Sequence, residues 1–211
     1  MQGFLTSQLA AEITTIVVFV ASLGLAAVMS FKYAKKQSKP LLWWSIGMWI
    51  FALGVLLEIF FAFGSVSQLL VSIYLLVVAL IVEALAMGSM QLVKSKKIRN
   101  SYYVFAAASS LLLIYSVAAA PSPNVIISYV AGGPPSLPVI LASSLITFPA
   151  AVILVVVAYL GYRQRHDKRL LSIIAGVVVV SVAGTLYIVQ YPALLYLSEV
   201  IGIGLLWYGF L

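Results

Sequence analysis

Residues 41–63 read LLWWSIGMWIFALGVLLEIFFAF, and apart from the indoles only Ser45 and Glu58 in that run carry a polar side chain. About 20 apolar residues in helical form cross a bilayer core of roughly 30 Å. A run of this kind belongs either in a bilayer or in the middle of a large soluble core. Composition decides between them. The 211-residue chain is 64% hydrophobic and 8% charged, too few charges to cover a soluble domain of that size. The fold expected is all-α: a polytopic integral membrane bundle of seven transmembrane helices forming one domain, 1–211. The spans fall at approximately 9–31, 41–63, 67–93, 101–120, 138–162, 170–190 and 193–211. The third is long enough to predict tilt or a protruding end. The last two are separated only by the corner at Pro192.

The basic residues set an orientation. All 12 Lys and Arg fall in 32–39, 94–99 and 163–169, the connections after spans one, three and five. The intervening connections have none. Short basic loops stay in the cytoplasm, which predicts an outside amino terminus and a cytoplasmic carboxyl terminus in the cell membrane. Trp43, Trp44, Trp49, Trp207, Tyr102, Tyr103, Tyr159 and Tyr162 lie towards the same ends, as an interfacial belt does. No basic residue precedes the first apolar run, so it reads as a retained helix and not a signal peptide. The net charge of +7 is then a rim facing anionic lipid, with the bilayer as partner and no role for nucleic acid.

Several functions are disfavoured. The chain has no Cys and one His, His166, which removes disulfides, thiolate metal sites and an intrachain bis-histidine haem. There is no HExxH, no plausible Ser–His pair and no phosphate-binding glycine loop, so neither enzymatic activity nor a metal or cofactor is expected. Seven spans with an external amino terminus resemble the microbial rhodopsins. Their retinal is carried on a lysine of the last span, and ALLYLSEVIGIGLLWYGFL has none. The stretch WWSIGMWIFALGVLLE resembles the Trp-to-Glu spacing of seven-helix sensor modules of some kinases.

Four carboxylates within or beside the spans are out of character: Glu12, Glu58, Glu83 and Glu199. A central acidic residue costs a few kcal/mol on insertion scales and so turns towards protein or water. Helical spacing puts Glu58 on a face with Gly47, Phe51, Gly54 and Ala62, and Glu83 on one with Ser72, Ala79, Ala86 and Met90. Glu199 shares a face with Gly202 and Gly209. Small residues are where membrane helices come closest, so each Glu is expected on a packing side. In the first span Gln8, Glu12, Thr15, Phe19, Ser22, Ala26 and Ser30 form a stripe, read either as a wet seam or as hydroxyls bonded to their own helix. No span contains Lys, Arg or His. Glu12, Glu58, Glu199 and Glu83 thus read as an outer-to-inner series in one cavity, with Glu83 deepest.

Other features are secondary. Pro149 predicts a kink in span five. The echo between VEALAMG (82–88) and SEVIGIG (198–204) suggests three-helix repeats around span four. The connection 121–138, rich in Pro and Gly, is expected to lie across the outer surface. The function expected is transport or conduction of protons, cations or a cation-coupled solute through these glutamates. The alternative is a non-catalytic subunit or scaffold bound to other membrane subunits or to copies of itself, and the third is a sensor module.

Overall fold

The computed structural model describes the backbone of residues 2–122, 125–127, 130–131, 133–188 and 192–210. Within these, the side chains of 2–11, 130–131, 165, 180–188 and 192–197 lie outside the description. The described residues form seven α-helices: α1 (Gln2–Lys36), α2 (Lys39–Ala62), α3 (Gln68–Met90), α4 (Lys96–Ala119), α5 (Leu137–Arg165), α6 (Lys168–Ile188) and α7 (Pro192–Phe210). The first five contain stretches long and apolar enough to cross a membrane. The chain is an all-α bundle. The corner at 189–191 lies outside the described residues.

Local chemistry sets the helix ends. Pro40 sits in the first turn of α2, where its missing N–H costs nothing. Ser67 and Ser95 cap α3 and α4 by accepting from the amides of Leu70 (3.2 Å) and Ile98 (3.4 Å). His166 ends α5 in the left-handed conformation, φ 53°. Pro149 lies inside α5, which continues as helix on both sides of it. Helix α3 ends three residues before the expected end of the third span. Gln91, Leu92 and Val93 donate to carbonyls three residues back, so the helix tightens and unwinds after Met90. The helices that run beyond expectation are α1, α4 and α5, of 35, 24 and 29 residues.

Neighbours follow chain order except at α4. Helices α1, α2, α3, α5, α6 and α7 close a ring, α7 returning against α1, while α4 packs outside it on α3 and α5. This is the connectivity that two three-helix units, α1–α3 and α5–α7, have when joined through α4. The main core includes Val18, Met48, Leu85, Leu154, Val177 and Leu206, drawn from all six ring helices. The basic loops gather at one end of the bundle. There Lys32 Nζ donates to the Phe210 carbonyl (2.8 Å), and the Trp44 and Phe210 rings lie 5.2 Å apart.

Part of the 121–138 connection covers the opposite end. It is not wholly irregular: Ile126–Ile127 (β1) pairs antiparallel with Val130–Ala131 (β2), in register Ile126 to Ala131. Gly133 N–H donates to the Val125 carbonyl (2.9 Å), and Ser136 ties its root to Ser122 Oγ (2.9 Å) and the Ala120 carbonyl (2.9 Å). Val125 is fully buried among Leu57, Phe61, Val71, Tyr74 and Val77, so the hairpin is seated on α2 and α3.

Candidate functional site

Glycine places α2 and α3 close enough for their polar groups to meet. Gly47 lies under Leu85, Gly54 under Val77 and Ile81, and Gly88 under the Trp44 indole. These pairs share one antiparallel register, and the same register brings Glu58 opposite Tyr74. Tyr74 donates its hydroxyl to Glu58 Oε1 at 2.8 Å. The Phe61 ring meets the Tyr74 ring edge-on at 5.5 Å, closing the side towards the hairpin. Glu58 is 5% exposed.

Glu83, 4% exposed, turns elsewhere. It accepts from Ser110 Oγ of α4 at 2.6 Å. Nine positions separate Tyr74 from Glu83, about two and a half helical turns, so the two point to opposite sides of α3. Glu83 therefore belongs to the α3–α4 seam outside the ring.

Helix α7 supplies the counterpart of Glu58. Trp207 Nε1 donates to the Ala21 carbonyl (2.9 Å), and its indole lies over Gly24, locking α7 to α1. Ser30 and Ser45 share a 2.7 Å hydrogen bond that fixes α1 against α2. Carried along the helices at about 1.5 Å per residue, these two registers set Glu58 beside residue 17 of α1 and Glu199 beside residues 13–16, within about a turn of one depth. The two carboxyls are within Coulombic range of each other. Glu58 Oε2 and Glu199 Oε2 are both buried with no hydrogen-bond partner among the described residues. The chain has no Lys, Arg or His between residues 40 and 93 or between 170 and 211.

The hydroxyls of the α1 stripe bond to their own helix where they are described. Thr15 Oγ1 donates to the Glu12 carbonyl (3.0 Å), Ser22 Oγ to that of Phe19 (2.8 Å) and Ser30 Oγ to that of Ala26 (2.8 Å). Thr15 and Ser22 are fully buried. Their hydroxyls are satisfied by their own helix, as close packing requires. Glu12 is half-buried near the hairpin end, and the Gln8 side chain lies outside the described residues.

The four carboxylates thus divide. Glu58 and Glu199 lie within Coulombic range at similar depth, Glu12 lies further towards the hairpin end, and Glu83 faces α4. Sequence reasoning passed over Tyr74, although Glu58 and Tyr74 are equidistant from the corner around Val66 and would face each other in any tight helical hairpin. Ser110, the partner of Glu83, shows no comparable symmetry. No family model, curated protein or solved structure matches the chain.

Proposed function

We propose that the protein is a small multi-pass transporter or channel of the cell membrane, moving protons, cations or a cation-coupled solute by way of intramembrane glutamates. In this reading the basic loops face the cytoplasm, the hairpin faces outside, and lipid covers the apolar rim. The carrying observation is the pair Glu58 and Glu199, each with one buried carboxyl oxygen unbonded by protein. Holding two acidic groups in a span costs several kcal/mol, and side chains of this kind mark ion and proton paths. A structural role explains Glu83 well, since Ser110 engages it directly. It explains the two unbonded oxygens poorly, because a buried acceptor without a donor costs stability.

Reconstitution into sealed vesicles tests the reading. Flux above that of empty vesicles is expected under a proton or monovalent-cation gradient, and it should fall in Glu58→Gln and Glu199→Gln. The absence of flux for every cation tried, together with stoichiometric co-purification of other membrane subunits, would replace transport with the accessory-subunit role.

A further inference from the structure

Burial and like charge limit what Glu58 and Glu199 can hold. If both were ionised, two negative charges would stand together out of water with no cation supplied by either helix. If both were protonated, the pair would have one more O–H than it needs to bond its two free oxygens to each other. One proton resolves both difficulties. An O–H on either Oε2, directed at the other directly or through one water, satisfies both oxygens and leaves a single charge, the behaviour of a carboxyl dyad.

We propose that Glu58 and Glu199 hold one exchangeable proton between their Oε2 atoms and form a proton-holding site within the bundle. This rests on the transport reading above and narrows it to the proton. The exchange is balanced: the O–H bond on one carboxyl breaks as that on the other forms, and the net charge of the pair stays at one negative. Tyr74 is the positioning residue. Its bond to Oε1 occupies one side of the Glu58 carboxyl and leaves Oε2 for Glu199. Among described side chains, the titratable groups on neighbouring elements near this depth are Tyr74 on α3 and Glu12 on α1. The described side chains of helix α6 and of the hairpin add none there. The donor set also favours a proton over a divalent ion: two carboxyls and a phenol fall short of the six to eight oxygens that calcium takes.

The test is an infrared titration of the full-length protein in lipid nanodiscs, following the carboxylic C=O band with and without deuteration. A deuterium-sensitive band that titrates as one proton is expected, and both Glu58→Gln and Glu199→Gln should abolish that shared titration. Glu83→Gln should leave it in place. Independent losses, each variant removing its own band while the other carboxyl titrates as before, would overturn the shared proton. Displacement of the band by sodium at constant pH would overturn the proton in favour of a monovalent cation. Where a Gln variant does not fold, Tyr74→Phe reads the same pair. It should move the shared titration, and an unmoved titration counts against the proposal. The shared-proton signature with no flux in the intact protein would overturn the transport reading alone.

Discussion

Tyr74 and Glu83 stand on opposite sides of α3, so the hydrogen bond given to Glu58 and the one accepted from Ser110 lie in different seams of the bundle. The first seam is inside the ring of six helices. The second joins the ring to α4. A carboxylate series read along the sequence treats both as one path, and the direction of the side chains separates them.

Glu83 is accordingly expected to act as a fastener between α3 and α4. Glu83→Gln keeps the shape and an oxygen able to accept from Ser110, and it should fold, melt within a degree or two of the parent protein and retain flux. Glu83→Leu strands the Ser110 hydroxyl and should lower stability by about 1–3 kcal/mol. Thermal melting in detergent, paired with vesicle flux, checks both. Loss of flux in a well-folded Glu83→Gln protein would return Glu83 to the pathway.

Removing the hydroxyl of Tyr74 acts on the other seam. Tyr74→Phe preserves the ring contact with Phe61 but takes away the only protein donor described for Glu58, at an expected cost of about 1–3 kcal/mol. In Glu58→Leu the same substitution should cost much less, because no carboxyl remains to be satisfied. The measurement is a double-mutant cycle on denaturant-induced unfolding. Equal effects in the two backgrounds would mean that the bond contributes nothing.

What was readable in the chain depended on how local the cause is. Apolar run length fixed the helices, because about 20 consecutive apolar residues leave a backbone in lipid no other way to satisfy itself. The end of α3 falls short of the apolar run because the amides of the apolar Leu92 and Val93 close tight turns that leave the helix. Glu58 facing Tyr74 was legible in principle, since a short corner makes equidistant residues meet. Glu199 beside Glu58 was not, because their meeting depends on α7 closing against α1 and on α4 being left outside the ring. No periodicity within a single helix carries that information. The hairpin at 126–131 is likewise held by the α2–α3 end, through Val125, and not by its own short ladder.

Orientation gives a prediction that needs no assay of function. Short basic loops are retained in the cytoplasm, so Lys36→Cys, Lys96→Cys and Arg163→Cys should resist an impermeant thiol reagent in sealed cells. Ser65→Cys, exposed in the connection between α2 and α3, should be labelled from outside. With no native Cys, any signal comes from the introduced thiol. Labelling of the basic-loop positions from outside would invert the topology.

Two glycines separate close packing from mere helix propensity. A Cβ on Gly88 would collide with the Trp44 indole and stand 3.1 Å from the Pro40 carbonyl, whereas a Cβ on Gly204 would meet nothing within 4 Å. Ala is the better helix former by about 1 kcal/mol, and Gly204→Ala should therefore be neutral or slightly stabilising. At Gly88 that gain is outweighed. Trp44 must move, straining its hydrogen bond to the Leu85 carbonyl (3.1 Å) and its contact with Phe210, and overpacking of this kind costs about 1–3 kcal/mol. Trp44→Ala removes the ring that the new methyl would strike. The pair Gly88→Ala with Trp44→Ala should consequently be less unstable than the two single effects added together. Thermal melting of the four variants decides it: strict additivity, or a Gly88→Ala protein as stable as Gly204→Ala, would mean that α2 and α3 do not meet at this glycine.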